Sequence, residues 1–168
     1  WAGEIAAVGA SVRDLRAGDL VMCSGAGGYA EYAVADAGRT MKFDAKAIGV
    51  EQAAGLPLAL MTAHDALVTH GRLAAGDAVL IQGASSAIGL MALQIAKLKG
   101  ARIVVGTSTS ESRRPRLAAF GADLALDPRM ADWPDRVLAA TGGKGAEIIV
   151  DMVSGPMTNQ CMKAAAVT

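Results

Sequence analysis

Residues 78–110, AVLIQGASSAIGLMALQIAKLKGARIVVGTSTS, read as strand, tight turn, helix and second strand without interruption. Ala78 to Ile81 is a short apolar run with β-branched content that ends at Gln82-Gly83, the pattern of a strand buried on both faces. A helix is predicted from about Ser86, with Leu90, Leu93, Ile95, Ala96 and Leu98 as its apolar surface and Gly100 as its stop. Ile103 to Val105 resume the sheet. A right-handed crossover of this length places the turn Ala84-Ser85-Ser86-Ala87-Ile88-Gly89 at the carboxyl end of the first strand and the amino end of the helix. Unpaired amides and the helix dipole converge there, so the turn is a candidate dinucleotide phosphate site.

The turn departs from the full G-x-G-x-x-G pattern. Aligned on its last glycine it reads Ala84-x-Ser86-x-x-Gly89, which keeps only the glycine required for close helix–strand approach. Alanine and serine are still small enough to admit a pyrophosphate, and the hydroxyls of Ser85 and Ser86 can donate to it. The competing reading is an ordinary N-cap serine in a parallel α/β protein.

Outward from this unit the pattern changes. Residues 1–49 hold short segments, GEIAAVG, GDLVMC and YAEYAVA, separated by turn signals at Gly9, Gly18-Asp19 and Gly25 to Gly28, which predicts antiparallel barrel strands. Tyr29 and Tyr32 fall on one of these and read as packing residues. Residues 50–70 take helical spacing, with Pro57 expected to break or restart the helix. Beyond the second strand, Pro115 is expected to open a helix, leaving Arg113 and Arg114 in the loop before it. A third strand is expected over Leu124–Leu126, a helix over 131–141, a fourth strand over 147–153 and a last helix over 158–166. A doubly wound sheet stopping there leaves Ile148-Ile149-Val150 as an exposed apolar edge, which predicts a piece of a longer protein.

Composition narrows the function classes. The 168 residues carry 16 basic and 16 acidic side chains, so no polyanion such as nucleic acid is indicated as partner. No apolar run is long enough to span a bilayer, and a soluble, cytoplasmic chain is expected. Cys23 and Cys161 form neither a disulfide framework nor a metal-ligand pair.

The segments AGEIAAVGASVRDLRAGDLVM, GGYAEYAV, AAGLPLALMTAHDAL, VLIQGASSAIGLMALQIAKLKGA, FGAD and TGGKGAEIIVDMVSGP together resemble the medium-chain dehydrogenase/reductase superfamily, in its zinc-independent quinone-oxidoreductase (zeta-crystallin-like) branch. The resemblance implies an α/β fold: part of a GroES-like β-barrel catalytic domain (residues 1–52) followed by a truncated Rossmann-type doubly wound parallel sheet (residues 53–168). It implies homodimers when complete. It also implies that Thr62 lines the nicotinamide pocket, with a helix threonine bonded to its own backbone as the alternative, and that Val153 lies along the cofactor's path. The position four residues before Thr62, a zinc-ligating cysteine in the zinc-dependent members, is Leu58, so no metal site is expected.

The coenzyme expectation comes from the second strand's end. NAD-preferring sites place an acidic residue about 20 residues past the glycine turn. Here the segment reads Gly106-Thr107-Ser108-Thr109-Ser110, followed by Arg113 and Arg114, which favours NADPH over NADH. Cofactor contacts are thus expected at Ala84 to Gly89, Thr107, Ser108, Ser110, Arg113, Arg114 and Val153. The family often carries a tyrosine near Pro128, where this chain has Pro128-Arg129, so the side chain that clamps the extra phosphate is open. The expected chemistry is hydride transfer to a quinone or α,β-unsaturated carbonyl. The alternatives are an enoyl-thioester reductase, alone or as a synthase module, and a low-turnover NADPH-binding protein.

Overall fold

The computed structural model describes residues 1–167. The chain divides into two compact units between Ala59 and Leu60. In the first, β1 (Ala2–Glu4), β2 (Leu20–Cys23) and β3 (Thr40–Lys42) form an antiparallel sheet in that order, with Gly3 opposite Val21 and Met22 opposite Met41. Val21 and Cys23 are buried and alternate with half-buried Leu20 and Met22, the two-residue period of a strand with one covered face. Gly18, at φ +86°, makes the turn into β2. The Asp19 carboxylate beside it accepts from the Arg16 amide at 2.9 Å and pairs with Lys42 Nζ at 2.7 Å, which pins the turn to β3 and holds the Asp19 carboxyl below its usual range.

Two expectations for this unit are corrected. YAEYAVA forms no strand, and Tyr29, Tyr32 and Val34 are exposed rather than packed. The ladder partner of β2 is instead Thr40–Lys42, a run too short to stand out by alternation and set up by Asp36, whose carboxylate accepts from the Gly38 amide at 2.7 Å.

Helix α1 spans Val50–His64 and continues as a wider π-turn segment, Asp65–His70. Pro57 lies buried inside α1 and does not break it. Only the bond to Ala53 is forfeited, and burial of Ala53, Pro57 and Ala59 offsets it.

The second unit is organised by a parallel sheet of β4 (Ala78–Ile81), β5 (Ile103–Thr107), β6 (Leu124–Leu126) and β7 (Ile148–Val150), in the order β6-β5-β4-β7. All four residues of β4 are fully buried. Val79 and Ile81 face one core with Val104 and with Ala92, Leu93 and Ala96 of α2 (Ala87–Leu98). Leu80 faces the other core with Val105, Leu126, Trp133 and Val137 of α3 (Trp133–Ala140), and Cys161 of α4 (Pro156–Lys163). Helices on both faces and a chain that leaves β4 in two directions make a doubly wound sheet, with its switch point between β4 and β7.

Acidic side chains cap the amino ends of the inner strands. Glu147 accepts from the Ala78 amide at 2.7 Å and pairs with Arg102 at 3.0 Å; Asp123 accepts from the Val104 amide at 2.7 Å and pairs with Lys97 at 2.6 Å. Trp133, fully buried, donates its indole N–H to Gln160 at 2.6 Å and so ties α3 to α4.

Several boundaries differ from the sequence reading. The helix expected from Pro115 is a tighter 3₁₀ segment, Arg114–Phe120, which Arg114 opens and Gly121 closes at φ +101°. α4 ends at Lys163 rather than 166, because Ala146 donates to Ala164 O at 2.8 Å and Ala166 donates back to Ala146 O at 2.9 Å, drawing the chain extended beside β7. The expected exposed edge is partly covered: Ile148 is buried, and Ile149 and Val150 are half-buried against the two cores.

Gly89 and Gly55 set opposite expectations for alanine. A Cβ on Gly89 would stand 2.6 to 2.7 Å from the Ala84 backbone, whereas one on Gly55 in α1 meets nothing within 4 Å. In urea unfolding, Gly89→Ala should lose about 2 kcal/mol or more by overpacking. Gly55→Ala should gain about 1 kcal/mol from helix propensity alone. Equal effects would contradict this packing.

Candidate functional site

The turn after β4 is held by bonds that use some of its amides and leave others. Gly83, at φ +66°, donates to Thr107 Oγ1 at 3.2 Å, and Ala84 donates to Thr107 O at 2.8 Å. Ser86 donates to Gly83 O at 3.0 Å, and its own hydroxyl caps α2 by accepting from the Gly89 amide at 3.1 Å. The amides of Ser85, Ala87 and Ile88 have no acceptor among the described residues. The last two lie in the first turn of α2, where the helix supplies none. Three amides therefore stand unpaired at the positive end of a helix dipole, on a bend of small side chains. Ala84 and Gly89 are buried, Ser85 and Ile88 half-buried, and Ser86 and Ala87 exposed.

Beneath the turn is a buried polar chain that sequence reasoning missed in part. Thr107 is adjacent to Gln82 in the β4–β5 register and donates to its Oε1 at 2.6 Å; Gln82 Nε2 donates to Cys161 Sγ at 3.4 Å. Burial pushes the Cys161 thiol up. Thr107, expected to touch a cofactor, is fully buried, and its hydroxyl accepts from the Gly83 amide. The polar Gln82 ending an apolar strand was the signal for this chain.

Ser108 joins the turn to the next loop. Its hydroxyl is 2.9 Å from Ser85 Oγ and accepts from the Ser110 amide at 3.2 Å, and its carbonyl accepts from Arg114 NH1 at 2.9 Å. Ser110 Oγ lies 3.3 Å from Ser112 Oγ and accepts from the Arg113 amide at 3.3 Å. The Arg113 guanidinium is exposed and has no partner among the described residues.

Arg114 corrects the expectation of two available arginines. It pairs with Asp127 at 2.9 Å, and only 22% of its side chain is exposed. Asp127 also receives Arg129 in a two-pronged contact, Nε to Oδ1 at 3.0 Å and NH2 to Oδ2 at 2.6 Å, besides the Arg129 amide at 3.0 Å. The Arg129 hydrogen bonds, with its charge and that of Arg114, hold the Asp127 carboxyl far below the usual carboxylate range. In the sequence, Pro128-Arg129 stands out only as the place where the resembled family often carries a tyrosine, and nothing local marks Asp127.

After β7, Asp151 folds the next loop. Its carboxylate accepts from the amides of Val153 at 3.0 Å and Ser154 at 2.8 Å and from the Thr158 hydroxyl at 2.9 Å. Burial pushes its carboxyl up, but these donors outweigh that and hold it below its ordinary value. They also hold Ser154 at φ +60°. Val153 is exposed and leans over the turn: its Cγ2 is 3.4 Å from where a Cβ on Gly83 would stand.

Hydrogen bonds and packing thus gather Ala84 to Gly89, Ser108, Ser110, Arg114 and Val153 at the carboxyl edge of the sheet. Thr62 is not joined to them. It is exposed on α1. No group of three His, Cys, Asp or Glu side chains among the described residues could hold a metal ion, and no helix there is long and apolar enough to cross a membrane.

Comparison with known proteins agrees with this geometry. The family model described as zinc-binding dehydrogenase matches residues 87–168. A quinone oxidoreductase of Pongo abelii is 34% identical over 95% of this chain and 48% of its own length. The crystal structure of an NAD-dependent alcohol dehydrogenase superposes with a TM-score of 0.85 at 32% identity, over 98% of this chain and 56% of that one. The CurK enoyl reductase gives 0.86 at 26% identity, over 98% and 49%. The chain spans about half the length of the curated quinone oxidoreductases it matches. With its β6-β5-β4-β7 parallel sheet and small-residue turn, the chain is similar over nearly its whole length to quinone oxidoreductases and to proteins of the medium-chain dehydrogenase/reductase superfamily.

Proposed function

We propose that this chain carries the nucleotide-binding portion, and part of the catalytic domain, of an NADPH-dependent reductase that passes hydride to a quinone or α,β-unsaturated carbonyl without zinc. The observation that carries the reading is the set of unpaired amides at Ser85, Ala87 and Ile88, on a bend whose other amides are already bonded. The bend fits a dinucleotide: Gly89 brings α2 against Ala84, and only small side chains border the amides. The dihydronicotinamide, when bound, supplies the hydride. The chain's own part is to bind and orient. Ser85, Ala87 and Ile88 donate to the diphosphate, Ser86 keeps its hydroxyl proton for the same use, and Val153 covers the turn. Thr62 is assigned to the nicotinamide pocket by resemblance.

NADPH is favoured over NADH because the residues just after β5, Ser108 to Ser110, carry no carboxylate and Arg113 beyond them is exposed without a partner among the described residues. The nearby acid, Asp127, has both oxygens occupied by arginines and is not available to a ribose diol. Zinc independence rests on Leu58, an exposed leucine where zinc-dependent members carry a ligand. In this reading residues 1–52 belong to a GroES-like catalytic domain and 53–168 to the nucleotide domain, the complete protein is a homodimer, and two free, buried thiols suit a reducing cytosol. Similarity to an enoyl reductase supports one second reading, an enoyl-thioester reductase.

Fluorescence titration should give a lower Kd for NADPH than for NADH, and tighter NADH binding would overturn the coenzyme assignment. Steady-state rates with a quinone, an enone and an enoyl thioester separate the two readings; tight NADPH binding with turnover of none would leave a binding protein. The NADPH Kd should rise as pH falls through about 6, where the 2′-phosphate takes up a proton. Asp127 does not contribute to that change. A carboxyl held below its usual range gives its stabilisation above that range and loses it only in stronger acid, so its arginine pairs stay intact at pH 6. The NADH Kd should stay flat there, and a parallel rise would contradict the assignment.

A further inference from the structure

We infer that Gln82 is a positioning residue for coenzyme binding, acting through the Thr107 hydroxyl on the Gly83 amide to fix the turn that meets the diphosphate. The inference rests on the nucleotide-binding part of the reading above and deepens it. Gln82 follows the last residue of β4 and is fully buried at the end of an apolar strand. An amide side chain so placed costs free energy unless its polar atoms are bonded. Both ends are bonded here: Oε1 accepts from the Thr107 hydroxyl at 2.6 Å, and Nε2 donates to Cys161 Sγ at 3.4 Å.

These bonds have a direction. The Thr107 hydroxyl oxygen accepts the Gly83 N–H at 3.2 Å, so its single proton is left for an acceptor, and Gln82 Oε1 takes it. With the Gln82 amide turned the other way, its NH2 would face a hydroxyl that already receives a donor, and the hydroxyl proton would lose its acceptor. The order Gly83 N–H to Thr107 O–H to Gln82 C=O therefore sets where the Gly83 amide points. Gly83 stands at φ +66° and, released from Thr107, has the freedom of a glycine to leave that conformation. The amides of Ser85, Ala87 and Ile88 that follow would then converge on the diphosphate in only a fraction of molecules, and apparent affinity falls by that fraction. The Ala84 amide, bonded to the Thr107 carbonyl at 2.8 Å, is untouched by a change in either side chain, so the turn loosens without detaching. Gln82 and Thr107 are both wholly covered and act on the turn from beneath.

The test compares wild type with Gln82→Met, Thr107→Val and Thr107→Ser by fluorescence titration with NADPH and NADH and by thermal melting. Gln82→Met and Thr107→Val remove the two ends of one hydrogen bond at nearly constant volume. Each should raise both coenzyme Kd values about tenfold and by the same factor, because the two coenzymes share the diphosphate. Thr107→Ser keeps the hydroxyl but loses a buried methyl, so it should melt below wild type and still restore the affinity lost in Thr107→Val. A purely structural role makes affinity follow the melting temperature instead, and Thr107→Ser binding as weakly as Thr107→Val overturns the inference. A loss in Thr107→Val with none in Gln82→Met overturns it too, since Thr107 would then meet the coenzyme itself. Hydrogen exchange in the wild type needs no variant to fold: the Gly83 amide should be protected in the free protein, and unprotected exchange overturns the inference. Unchanged coenzyme affinity in Gln82→Met overturns the inference while the nucleotide reading stands. Wild-type protein that binds neither NADPH nor NADH overturns that reading, and this inference with it.

Discussion

The close approach of α2 to the end of β4, where Gly89 lies against the Ala84 backbone, is the constraint on which the rest depends. A side chain there would need room that the Ala84 carbonyl occupies. Because the helix starts so near the strand, its first amides emerge directly over the carboxyl edge of the sheet. Gly106 repeats the requirement on β5, where a Cβ would come within 2.9 Å of the Ala84 methyl. Two glycines, one on the helix and one on the neighbouring strand, leave the turn its place.

A second constraint explains why the turn keeps its shape. Thr107 holds Gly83 and Ala84 through its hydroxyl and carbonyl, and Gln82 and Cys161 hold Thr107 from below. Inside a protein such a chain is stiff when every member is satisfied and costly when one is not. The bend is therefore supported from α4 on the far face of the sheet as well as from α2 on the near one. Asp151 does the same for the loop after β7, so both loops at the switch point are fixed by side chains rather than left to ligand binding.

Much of this was legible in the sequence. The four parallel strands, the helix after Gly83 and the cap at Ser86 follow from apolar period, glycine position and N-cap chemistry, all local signals. The failures share a physical cause. Tyr29 to Val34 alternate like a strand but find no ladder partner among the described residues, whereas Thr40–Lys42 alternates too briefly to be noticed and is a strand because β2 lies beside it. Arg113 and Arg114 are adjacent and look alike; only the fold brings Asp127, from the end of β6, to occupy one and leave the other. Thr107 read as a surface hydroxyl because strand register, which sets Gln82 beside it, is not a local property. Tertiary pairing decided each of these.

The central claim is that specific amides of the turn hold a diphosphate. Amide chemical shifts followed by ¹H–¹⁵N NMR during titration with NADPH test it most directly. The account predicts the largest changes at Ser85, Ala87 and Ile88, with Gly83 and Gly89, whose amides are bonded within the protein, moving little. Saturating NADPH binding that leaves Ser85, Ala87 and Ile88 unshifted would contradict it.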